Sequence, residues 1–191
     1  MRLKKSLFAL LVLLLTTALV LSACSQNQQV APSATKQEVP AGTPVIGGEL
    51  TYALATSPDT LDPHRSGYAV AVRVLRTVYD SLVVQMPDNT IKPWLATEWT
   101  VSEDGKTYIF KLRQDVVFHD GTPFNAAAVK YNYDRILNPE TKAANSVALL
   151  EPYESSEVID EYTIKINLSR PSRAFLGNLS QALLGIVSPT R

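Results

Sequence analysis

Two alternating runs, Thr97–Val101 and Lys106–Arg113, flank Ser102-Glu103-Asp104-Gly105, and this pattern constrains the fold more than any other stretch. Asp-Gly suits the tight turn of a hairpin, so the two runs pair antiparallel. Period-2 spacing then places Tyr108, Phe110 and Leu112 on one face. A second hairpin is read at Glu157–Ile159 and Tyr162–Leu168, bent at Asp160-Glu161, with Tyr162, Ile164, Ile166 and Leu168 on the inner face. Helices are expected between the strands. Ala126–Leu137 is capped by Asn125 and closed before Pro139, and Tyr68–Leu82 repeats Ala71, Val74, Leu75, Val78 and Leu82 at helical spacing. Gly48–Ala55, Val116–Phe118 and Leu184–Val187 read as further strands, and Arg173–Leu183 as a helix. The fold class is mixed α/β, with turns at Pro87-Asp88-Asn89 and His119–Pro123 and an exposed loop at Thr56–Gly67.

The first 46 residues have a different character. Arg2, Lys4 and Lys5 precede an uncharged run of 15 residues, Leu7–Leu21, short of the roughly 20 needed to span a bilayer. The run ends in Leu21-Ser22-Ala23-Cys24, small residues leading into the only cysteine of the 191-residue chain. This resembles the lipobox of bacterial lipoproteins. It implies a signal peptide over 1–23 and lipid attachment at Cys24, with several acyl chains for stable anchoring to the membrane. Residues 24–46 are rich in Gln, Ala, Ser, Thr and Pro and lack aromatics, so they are expected to be a disordered tether, leaving 47–191 as the folded part.

Composition excludes several function classes. Lys plus Arg total 18 against 18 Asp plus Glu, which argues against a nucleic-acid partner. One cysteine permits no intramolecular disulfide and no multi-cysteine metal site. No hydrolase, phosphate-loop, zinc-protease or dinucleotide motif occurs, so no catalytic residue, metal site or cofactor is assigned. His64 beside Asp62 and His119 beside Asp120 could each be half of a metal or acid–base pair, although Asp in such turns more often bonds local amides. Trp94 and Trp99 suit packing better than a sugar platform.

Pro93–Pro123 (PWLATEWTVSEDGKTYIFKLRQDVVFHDGTP) closely resembles the signature of the family-5 extracellular solute-binding proteins, the peptide, dipeptide and nickel receptors of bacterial ABC importers. Gly47-Gly48-Glu49-Leu50, Leu61-Asp62-Pro63-His64, Arg135 with Asn138-Pro139, and Ile186–Pro189 extend the likeness. The resemblance implies a type II periplasmic-binding-protein-like fold, incomplete here, with 47–191 in the first lobe and the second lobe absent. It implies no enzyme activity, a peptide or small-solute ligand, ABC permease and ATPase subunits as partners, and a location for this protein outside the cytoplasm, on the cell membrane. Its ligand-facing loops map to Arg65, Ser66, Gly67 and Tyr68, and to the segment around Ala144-Asn145-Ser146, with Asn145 the candidate there. Relatives carry acids just before Val129, whereas this chain has Ala126-Ala127-Ala128, so Asn125 caps without an acidic partner. The alternative is a non-transport lipoprotein interaction or structural module, or an inactive fragment.

Overall fold

A computed structural model describes residues 47–190. The proposed signal peptide, Cys24 and the tether lie outside them. The chain divides into two units after Leu50; Gly47–Leu50 is irregular, and all the described helices and strands lie in the second unit.

The hairpin around Asp104-Gly105 forms as expected. Strands β3 (Ala96–Val101) and β4 (Thr107–Leu112) pair antiparallel, with Gly105 at a positive φ of 69° in the turn. The second hairpin joins them: β5 (Tyr153–Asp160) and β6 (Thr163–Leu168) complete a four-stranded antiparallel sheet of order β3-β4-β6-β5. Alternation sorts its two faces. Tyr108, Phe110, Leu112, Ile164, Ile166 and Leu168 point into the core. The outer face carries polar cross-strand pairs, among them Lys111 Nζ to Thr163 Oγ1 at 3.0 Å and Lys165 Nζ to Glu157 at 3.0 Å.

Helix α2 (Ala126–Leu137) covers the inner face, burying Val129, Tyr133 and Ile136 in the same cluster as Phe110, Ile164 and Ile166. Asn125 starts it: its Oδ1 accepts from the Ala128 amide at 3.0 Å, and no acid stands in the first turn. Each fully buried large side chain here contributes about 1.5–3 kcal/mol relative to exposure.

Several expectations change. The helix expected over Tyr68–Leu82 is only α1 (Ala69–Leu75); Thr77 then bonds the Val74 carbonyl through both its amide (2.9 Å) and its hydroxyl (2.7 Å), tightening and ending the coil. Leu82 and Val83 are instead buried at the start of a two-stranded ribbon, β1 (Val83–Gln85) with β2 (Ile91–Pro93), around the expected Pro87-Asp88-Asn89 turn. Val116–Phe118 reduces to a single bridge, Val117 with Pro123. The segment around Ala144-Asn145-Ser146, read as a loop, opens helix α3 (Ala144–Leu150), whereas Arg173–Leu183 yields only the one-turn α4 (Phe175–Asn178) and a 3-10 turn at Ala182–Leu184.

No strand forms at Gly48–Ala55. Alternation makes a segment compatible with a sheet, but ladder bonds make it a strand, and no described main chain pairs with Thr51–Ala55. Leu184–Val187 is not a strand either, for a different reason. The Asn132 side chain takes the place of a neighbour: its Oδ1 accepts from the Val187 amide and its Nδ2 donates to the Val187 carbonyl, both at 2.8 Å. Trp94, expected to pack, is 49% exposed, its indole N–H held by Asp80 at 2.7 Å; Trp99 does pack against the core.

Candidate functional site

The loop expected to be exposed at Thr56–Gly67 is anchored by its most polar residues. Pro63, His64 and Ser66 are buried, and His64 shows no exposed surface. Arg135, near the C-terminal end of α2, reaches the loop with its guanidinium fork: Nη2 to Asp62 Oδ2 at 2.6 Å and Nη1 to Asp62 Oδ1 at 3.2 Å. The same Nη1 lies 2.6 Å from His64 Nδ1, while His64 Nε2 lies 2.9 Å from the Gly185 carbonyl oxygen. Ser146 of α3 places one hydroxyl 3.0 Å from the His64 carbonyl and 2.9 Å from that of Leu183.

Four pieces of chain thus meet at His64: its own loop, α2, α3 and the turn after Leu184. Gly185 is required there, because a Cβ would lie 2.8 Å from Tyr79 Cβ and 3.0 Å from the Ala182 carbonyl oxygen.

The electrostatics follow from this packing. Burial pushes the His64 ring down to about 4, reinforced by the Arg135 charge and opposed by the Gly185 carbonyl and Asp62. Burial works to raise the Asp62 carboxyl, but the bond and charge of Arg135 and the His64 amide outweigh it and hold it below the usual carboxylate range. Asp62 and His64 therefore meet through Arg135 and the backbone, in the manner of a structural network. The exposed His119 lies in its turn, whose Asp120 accepts from the Thr122 amide at 3.0 Å and the Thr190 hydroxyl at 2.6 Å. Among the described residues no group of three or more His, Cys, Asp or Glu could hold a metal ion.

The structure brings the candidate ligand residues together. Ser66 Oγ and the Gly67 amide both donate to the carboxylate of Asp59, at 2.9 Å each, closing the loop on itself. The Gly67 amide first, then Ser66, holds the Asp59 carboxyl below its ordinary range. Asn145 Nδ2 reaches the Ser66 carbonyl at 3.4 Å, and a Cβ at Gly67 would come within 3.1 Å of the same nitrogen. Arg65, Tyr68 and Asn145 remain exposed, Tyr68 at 64%. Sequence reasoning misses Asp59, because an Asx residue ahead of a polar loop is a signal common to many turns. Two open surface hollows, of about 420 Å³ beside Arg173 and about 620 Å³ beside Trp94, lie away from these residues.

This architecture is that of the periplasmic binding proteins. The structure of NikA from Brucella suis in complex with Fe(III)-EDTA superposes with a TM-score of 0.65 at 35% identity, covering 73% of this chain and 28% of NikA. The ABC transporter-associated periplasmic binding protein DppA from Helicobacter pylori, in complex with the peptide STSA, gives 0.62 at 28% identity over 69% of this chain and 29% of DppA. The chain belongs to the bacterial extracellular solute-binding proteins, family 5, whose family model matches residues 90–190. The glutathione-binding protein GsiB of Salmonella typhi is 37% identical over 141 residues, 74% of this chain and 27% of GsiB. The chain therefore spans about a quarter of the length of the curated relatives it matches. Among the described residues no helix is long and apolar enough to cross a membrane.

Proposed function

We propose that this chain is part of the solute-binding lipoprotein of an ABC importer, anchored through Cys24 outside the cytoplasm, capturing peptides or a related small solute for a membrane permease and its ATPase. The observation that supports it is the 37% identity to a glutathione-binding protein across the region that includes the candidate loop. Arg65, Ser66, Gly67, Tyr68 and Asn145 are the proposed ligand-facing residues. Their arrangement suits solute capture, since Asp59 and Asn145 fix a loop that displays a guanidinium, a phenol ring and an amide to solvent. Such groups recognise the carboxylates and amides of a peptide. The reading assigns no chemical step to the protein.

The test is isothermal titration of the protein purified from its native membrane, with glutathione and with unrelated tripeptides. Saturable binding that Arg65→Ala or Asn145→Ala weakens at least tenfold supports the reading. No binding of either ligand by cooperatively folded protein overturns it. For the anchor, Cys24→Ser is expected to release the protein from membranes and abolish labelling by a fatty-acid probe; unchanged labelling refutes lipid attachment at Cys24.

A further inference from the structure

Both ring nitrogens of His64 are committed, and the chemistry of their partners fixes the proton. Arginine has no lone pair to offer, so the 2.6 Å contact makes Nδ1 the acceptor, and Nε2 carries the hydrogen to the Gly185 carbonyl. A second proton has no place: an Nδ1–H would face an Arg135 N–H across that distance, inside a residue with no exposed surface.

The charged groups facing His64 are Asp62 on its own loop and Arg135 on α2, with the phenols of Tyr79 and Tyr131 acting on Arg135. From α3 and the 185 turn it meets only the neutral Ser146 hydroxyl, on its carbonyl, and the Gly185 carbonyl.

We propose that His64 is an acid-released latch: a proton taken up at Nδ1 unseats the imidazole from between Arg135 and Gly185 and opens the Asp62–Arg65 turn, while the Asp62–Arg135 ion pair still ties the loop to α2. The bonds of Asp59 to Ser66 and Gly67 are internal to the loop and stay, whereas the His64 and Arg65 amides, which donate to the Asp62 side chain and carbonyl at 3.1 and 3.2 Å, open with the seat. The latch itself stands on geometry; its meaning for solute capture, lower affinity in acid, rests on the reading that this loop faces the solute.

The test uses uniformly ¹⁵N-labelled full chain in detergent micelles, followed by NMR from pH 7.5 to 3.5. The chain has two histidines, so the two ring systems are resolved and His64→Asn assigns them. At neutral pH the His64 ring is expected as the Nε2–H tautomer, taking up its second proton at Nδ1 more than one pH unit below the ordinary histidine value of about 6.5. Across that transition the His64 and Arg65 amides should lose at least tenfold in exchange protection, corrected for intrinsic rate, while those of Phe110 and Ile166 stay protected.

An Nδ1–H tautomer, an ordinary midpoint, or unchanged His64 and Arg65 protection overturns the latch. So does a protection step that persists in His64→Asn, which keeps an acceptor near Arg135 but no titrating ring. No solute enters this experiment, so a latch that releases in protein that binds neither glutathione nor tripeptide leaves the latch standing and removes only the functional reading.

Discussion

Helix α2 is gripped on two sides by different forces. Toward the sheet it presents Val129, Tyr133 and Ile136 to apolar strands, a contact that depends on area and tolerates small shifts. Toward the 59–68 loop it presents Arg135, whose three contacts with Asp62 and His64 depend on direction and on protonation state. The first interface is insensitive to pH, whereas in the second the Arg135–His64 contact holds only while one imidazole nitrogen stays bare. One helix thus joins a permanent core to a conditional attachment.

The contrast breaks most forcefully at Phe110. It has no exposed surface and lies within the sheet's inner face, so Phe110→Ala is expected to destabilise by about 3–5 kcal/mol, read from urea unfolding followed by tryptophan fluorescence, at neutral and acid pH alike. A strongly pH-dependent loss would erase the distinction between the two interfaces.

Acid attacks the other side. The folded-state value of His64, about 4, lies below the unfolded value of about 6.5, so the unfolded chain takes up the proton first. Stability is fully present above pH 6.5 and is lost as pH falls toward 4, by about 3 kcal/mol; depression of Asp62 acts in the same direction at still lower pH. Unfolding free energies measured at pH 7 and pH 4 check this, and His64→Asn should flatten the slope.

Asn132→Ala removes both partners of Val187 while leaving the apolar contacts of α2 in place, for an expected loss of about 2 kcal/mol in the same unfolding assay. The smallest effect is at the helix start. Asn125→Ala should cost about 1 kcal/mol, and Ala128→Glu, placing an acid in the uncapped first turn, should recover none of it if steric burial of Ala128 dominates; circular dichroism melts of both variants decide.

The sheet side was legible in the sequence and the loop side was not. Tyr108, Phe110 and Leu112 alternate around an Asp-Gly turn, and Asn125 precedes a 12-residue amphipathic run, so strand, turn and helix each announce themselves within a few residues. Burial of His64 depends on Arg135, 71 residues away, and on Gly185, 121 residues away, and no local pattern encodes either meeting. The same separation hid the role of Asn132, which reads locally as one more polar residue on a helix. The overlong reading of α1 failed for a local reason: Val78 and Leu82 keep the helical spacing, but a hydroxyl at Thr77 competes for the Val74 carbonyl. Ligand-facing positions were suggested by resemblance alone, and Asp59, which organises them, is anonymous in sequence.

The amide of Asn132 has one further consequence. Stretched main chain with unsatisfied donors and acceptors recruits any passing extended segment, which is how sheets propagate between molecules and how aggregates begin. By offering a carbonyl and an N–H₂ to Val187 in the spacing of a peptide group, Asn132 closes that docking position with a side chain that cannot itself be extended. An alanine at this position should therefore promote self-association as well as lower stability.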